Sequence, residues 1–202
     1  MTRAFSPPES GSDWEPQRQI IEAAQSGDLE AVGSLYDAHI NQVYRYALAR
    51  LGNVQDAEDV AEEIFHKMLS GLPSYQWRKV PFAAWLMRIS HNEVITFVRR
   101  KGRRGIDTEL PDDIIDRGNN IDPAETTERT MALEDLRRAV KLLPEAQREV
   151  IILRFASGLS VADTARALSK NENNVKVLQH KGMQRLQVLM QPKYPELAQR
   201  QA

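Results

Sequence analysis

Asn173, Asn174, Lys176, Val177, His180, Lys181 and Gln184 fall on one face if the chain after Asn171 is helical. Asn and Gln amides can bond adenine bidentately, and Lys can bond guanine edges or phosphate. Glu172 is the one acid beside them. A short helix, a tight turn and this longer second helix make a helix-turn-helix over Ser160–Leu186, which can project its second helix into a major groove. The plain alternative is an ordinary helical hairpin with a solvated polar face. The excess of Lys, His and amides over acids favours DNA.

A second group of residues points the same way. Arg99, Arg100, Lys101, Arg103 and Arg104 close an amphipathic segment. Arg78, Lys79 and Arg88 lie before it, with Tyr75 and Trp77 in the same loop. Basic residues interleaved with aromatics suit a strand whose bases are unstacked. The plain alternative is cationic charge complementing a helix C-terminus.

Asp56, Asp59, Glu62 and Glu63 form an acidic face. Such runs are usually solvated surface; as a functional site, this one would dock a basic partner. Glu63-x-x-His66 has the spacing of half a di-iron bundle site. The other histidines, His39, His91 and His180, have no Glu three positions before them, so a metal centre is not expected.

Composition narrows the classes further. None of the 202 residues is Cys, which excludes disulfides, thiolate metal sites and a Cys nucleophile. Neither common phosphate-cradling glycine loop occurs. No apolar run approaches the roughly 20 residues of a membrane span, and the N-terminus lacks a signal-peptide core, so a cytoplasmic location without membrane insertion is expected. The net charge of -1 conceals blocks. Residues 78–104 are basic apart from Glu93. Residues 107–135 are acidic apart from Arg117 and Arg129. Residues 137–185 turn basic again. Asymmetry of this kind concerns partners, not fold.

The elements that must position these groups all read as helices. Asp28 caps one that ends at Gly52. Asn53 caps the next, with Val60, Ile64, Met68 and Leu72 inward and Gly71 and Pro73 at its end. Pro81 starts a third, with Phe82, Trp85, Leu86 and Ile89 inward and Gly102 as its stop. A shorter helix is expected near Arg18–Gln25. Asp122-Pro123-Ala124-Glu125 opens another, carrying Leu133, Leu136, Val140 and Leu143. Pro144 breaks it, and a new helix carries Val150, Ile151 and Phe155. Ser160-x-x-Asp163 is a capping box, and Asn171 caps the last helix, with Val175, Leu178 and Leu186 inward. The expected fold is all-α: two small helical domains joined by a flexible linker, the C-terminal one containing the helix-turn-helix. The boundaries are a disordered lead (1–16), a first domain (17–102), an acidic linker (103–128), a second domain (129–191) and a tail (192–202).

LYDAHINQVYRYALARLGNVQDAEDVAEEIFHKM, FAAWLMRISHNEVITFVRR, LPEAQREVIILRFASGLSVADTARAL and NVKVLQHKGMQRL, in that order, resemble bacterial extracytoplasmic-function (ECF) sigma factors of the sigma-70 family. The resemblance covers roughly residues 18–190 and implies conserved regions 2 and 4. It implies a promoter-specificity subunit of RNA polymerase, neither an enzyme nor a cofactor binder. Its partners would be core polymerase, through the largest-subunit clamp and the flap of the second-largest subunit, then promoter DNA, with an anti-sigma factor as a further candidate. Asp56, Asp59, Glu62 and Glu63 would dock on core, with Ile64 and Phe65 contributing. Tyr75, Gln76, Trp77, Arg78, Lys79, Arg88 and Asn92 would capture and help melt the -10 element, and Arg99, Arg100 and Lys101 would track phosphates. Asn173, Asn174, Lys176, Val177, His180, Lys181 and Gln184 would read the -35 element. A stand-alone helix-turn-helix regulator is the alternative.

Five positions depart from the family pattern. Ser169-Lys170 replaces the usual Gly and apolar residue in the turn, and positive φ at Ser169 would cost stability. Gly182 replaces Ala inside the last helix, a cost of about 1 kcal/mol. Asn174 stands for Thr or Ala, and Thr96 for an acid.

Overall fold

The computed structural model describes residues 14–77, 80–103 and 123–195. Eight α-helices account for most of these: α1 Trp14–Gln25, α2 Leu29–Leu51, α3 Val54–Gly71, α4 Phe82–Arg103, α5 Pro123–Lys141, α6 Glu145–Ile151, α7 Val161–Leu168 and α8 Glu172–Met190. Among the described residues there is no strand. A 3-10 turn, Leu72–Ser74, follows α3, and a π-helical turn, Ile152–Ala156, follows α6.

The caps lie where the side chains dictate. Asp28 accepts hydrogen bonds from the Glu30 and Ala31 amides at the start of α2. Gly52 ends that helix with φ 71°, the left-handed conformation glycine adopts without penalty. Asn53 caps α3, Ser160 caps α7 and Asn171 caps α8, each accepting a backbone amide bond three residues on. Ser160 also donates to Asp163 Oδ2 at 2.6 Å.

Some boundaries and faces differ from expectation. α1 begins at Trp14, inside the segment expected to be a disordered lead. α4 passes through Gly102 to Arg103. α5 starts at Pro123, within the expected acidic linker. The expected cap Asp122 and residues 104–121 of that linker lie outside the described residues. Leu133, Leu136 and Phe155, expected inward, are 41%, 39% and 56% exposed. The π turn explains Phe155: it adds a residue to the turn, so the helical face assumed from α6 no longer holds there.

Helices α1–α4 enclose a core of Val43, Tyr46, Ile64, Met68, Phe82, Leu86 and Met87. Tyr75, Phe82 and Trp85 pack ring to ring at one end of it. The same cluster takes in Ile152, Leu153, Leu159 and Ala167 from the C-terminal half. The two halves therefore share one apolar cluster. Smaller clusters complete the second half: Ala139, Leu143, Ile151 and Leu186, and Val150, Ala165 and Val175.

Candidate nucleic-acid and polymerase interfaces

α7 and α8 form the helix-turn-helix. The turn between them passes through Ser169, the one non-glycine residue with positive φ among those described, at 53°. Lys170 then donates its amide to the Ala165 carbonyl at 2.8 Å, closing the turn. Val175 is fully buried under the second helix and Leu178 is half-buried. That packing turns Asn173, Asn174, Lys176, Val177, His180, Lys181 and Gln184 outward, and all seven are exposed. Arg154 Nε donates to Gln179 Oε1 at 2.9 Å, which fixes the rotation of α8 against the π turn. Gly182 allows the close approach of α8 to α6, because a Cβ there would stand 2.9 Å from Ile151 Cγ1.

The loop before α4 presents a different picture. Tyr75 is 7% exposed; its hydroxyl donates to the Val80 carbonyl at 2.7 Å, and burial raises its pKa to about 12. Its ring is therefore part of the core wall and not an open stacking platform. Trp77 is half-buried, while Gln76, Arg88 and Asn92 are exposed. Arg78 and Lys79 lie outside the described residues. Arg99 and Arg100 are exposed, whereas Lys101 is held by Asp56 at 2.5 Å.

On α3, Asp59, Glu62 and Glu63 are exposed. Ile64 and Phe65 are 0% and 5% exposed. Contrary to the expectation that they contribute to docking, they anchor the helix in the core and so hold the acidic face outward. His66 is exposed, and among the described residues no three metal-ligating side chains converge.

Residues 35–104 match the family described as Sigma-70 region 2, and residues 133–186 match Sigma-70, region 4. The ECF RNA polymerase sigma factor BldN of Streptomyces coelicolor is 34% identical over 187 residues, covering 91% of this chain and 69% of that protein. This chain belongs to the ECF RNA polymerase sigma factors. The ECF sigma factor SigD of Mycobacterium tuberculosis is 31% identical over 173 residues, covering 83% of this chain and 80% of that one. In fold, the sigma factor resembles RpoE of Bartonella quintana, solved in complex with the anti-sigma factor NepR. The TM-score is 0.65 at 24% identity, over 79% of this chain and 96% of that one.

The sigma factor also contains a polar cluster that sequence reading missed. Glu149 of α6, 4% exposed, meets three residues from α2 and α4. Tyr46 Oη donates to its Oε2 at 3.0 Å, and His91 Nδ1 lies 3.1 Å from the same oxygen. Arg50 Nη2 lies 2.7 Å from Oε1 while aiming its hydrogen bond at Glu145, 2.6 Å away. Burial alone would raise the Glu149 pKa, but the His91 hydrogen bond and the Arg50 charge outweigh it and hold the carboxyl below its ordinary value. Burial, reinforced by Glu149, pushes the Tyr46 hydroxyl well up. No local pattern could have revealed this cluster, since Tyr46 and Glu149 are 103 positions apart. Arg185, outside the expected reading set, is exposed one turn beyond Lys181 on the same helix.

Proposed function

We propose that this sigma factor binds core RNA polymerase, directs it to promoters through -35 and -10 elements, and helps melt the -10 region. ECF sigma factors are transcription-initiation factors. The observation that carries the assignment of roles is the outward face of α8, where every expected base-reading residue is exposed on a helix-turn-helix. In this reading residues 129–191 form the -35 domain, with Lys176, His180 and Lys181 central. Residues 17–102 form the core-binding and -10 domain. Asp59, Glu62 and Glu63 meet the polymerase clamp, and Gln76, Trp77, Arg88, Asn92, Arg99 and Arg100 meet the -10 strand. A groove of about 660 Å³ beside Leu136, Phe155 and Met183 offers an apolar seat for the polymerase flap. The protein acts by binding, and polymerase supplies the chemistry in the cytoplasm. The named complex of RpoE with NepR supports an anti-sigma factor as a further partner.

The test is transcription by purified core polymerase on fragmented genomic DNA, with and without the protein. Discrete start sites that depend on it are expected, sharing two upstream elements. No new start sites, together with tight operator binding by the free protein, would replace this reading with the stand-alone regulator.

A further inference from the structure

We infer that Gln179, held by Arg154, is a positioning residue for -35 reading: it sets the rotation of α8 and touches no base itself. The inference rests on the function proposed above. Gln179 is half-buried, one turn beyond the buried Val175 and next to the exposed His180, so it borders the outward face. Arg154 Nε donates to its Oε1 at 2.9 Å. Nη1 of the same guanidinium donates to the Leu159 carbonyl, beside the Ser160 cap of α7. One side chain of the π turn therefore braces both helices of the helix-turn-helix. Among the described residues no carboxylate pairs with Arg154, and these two neutral acceptors hold it in place.

The apolar packing of α8 leaves its rotation weakly fixed. The buried residues of the helix are Val175, Gly182 and Leu186. Val175 and Leu186 stand about 16 Å apart along the axis, at 1.5 Å per residue. Between them Gly182 lets the backbone approach Ile151 closely but offers no side chain to interlock, and Leu178 is half-buried. The buried cluster under the reading segment is Val150, Ala165 and Val175, all small side chains. At a radius of about 6 Å, a rotation of about 20° moves a side-chain tip by about 2 Å. A base contact at about 2.9 Å does not survive that shift. Lys176 stands three positions before Gln179 and His180 one after it, so the brace acts within the reading segment itself.

The test uses holoenzyme reconstituted from core polymerase and the sigma factor, selecting among promoter duplexes randomised over the -35 element. Gln179→Met keeps the length and helix propensity of the side chain and removes the acceptor. It should lower the preference for the best sequence over its single-base variants by about threefold or more, at all contacted positions together. Binding to a random-sequence duplex and its salt slope should not change, because no phosphate-contacting cation is lost. Gln179→Glu retains an acceptor for Arg154. It should keep the preference, although its charge lowers affinity for every duplex. Arg154→Lys keeps the charge but cannot serve both acceptors, and it replaces Gln179→Met if that variant loses helicity by circular dichroism. An unchanged preference in folded Gln179→Met protein would overturn the inference. So would a loss confined to one base position, which would make Gln179 a base contact. A wild-type holoenzyme that selects no -35 sequence would remove the proposed function itself, and the inference with it.

Discussion

Lys101 Nζ lies 2.5 Å from Asp56 Oδ2, tying the last turn of α4 to the first turn of α3. Both residues were expected to face partners, one DNA and the other polymerase. Their side chains are instead 21% and 17% exposed and neutralise each other. In the function proposed above, polymerase docking then falls to Asp59, Glu62 and Glu63, and phosphate tracking to Arg99 and Arg100. A double-mutant cycle with Asp56→Ala and Lys101→Ala should show a coupling of about 0.5–1 kcal/mol in urea unfolding, the upper part of the range for partly exposed pairs. Asp59→Arg should weaken core binding more than Asp56→Ala does, as measured by fluorescence anisotropy with labelled sigma factor.

Lys181→Ala should weaken discrimination at one base position of the -35 element, by about 1–3 kcal/mol if Lys181 contacts a base edge. Core binding should be unchanged. A uniform loss across all -35 sequences, with a smaller salt slope, would instead assign Lys181 to phosphate.

Gly182→Ala tests helix packing against helix propensity. Alanine gains about 1 kcal/mol of propensity. Its Cβ would meet Ile151 Cγ1 at 2.9 Å and Cδ1 at 3.2 Å, and overpacking costs about 1–3 kcal/mol. The net change should be destabilising. In an Ile151→Ala background, where the obstructing atoms are gone, the same substitution should stabilise. Thermal unfolding of the four proteins checks both signs.

Ser169→Gly should stabilise the protein by about 1 kcal/mol, because glycine adopts φ 53° without the Cβ penalty that serine bears. The gain should show as a raised Tm with unchanged affinity for -35 DNA.

Acid should destabilise the protein in two stages. Burial lowers the pKa of His39 below 6.5, so between that value and its folded pKa the unfolded chain binds the extra proton. Stability is therefore full above about pH 6.5 and falls as the pH drops below it. Glu149, held below 4.5, adds a second loss as the pH falls through its folded pKa. His39→Gln should flatten the first stage and leave the second, as read from urea midpoints across the pH range.

The helices were legible because their signals are local. Asp28, Asn53, Ser160 and Asn171 each cap the helix that follows, and the outward face of α8 follows from the burial of Val175 and Leu186. What was not legible depended on distant partners. Lys101 reads as a phosphate-tracking cation until Asp56, 45 positions earlier, is seen beside it. Tyr75 reads as a stacking platform until Val80, Phe82 and Trp85 enclose it. Gly182 reads as a helix defect until Ile151 is placed against it. In each case local periodicity correctly gave the element, and tertiary packing reassigned the residue.

The π turn after α6 also bears on which changes of chain length the fold can absorb. The Ser157 amide reaches back five residues to the Ile152 carbonyl, at 3.1 Å, where an α-helix would reach back four. The turn therefore contains one residue more than an α-helix needs. Loss of the exposed Phe155 would convert it to ordinary helix and carry Leu159 and α7 onward in phase. A single-codon deletion, ruinous in most helices because it rotates everything downstream by about 100°, has a site here where it can be inherited.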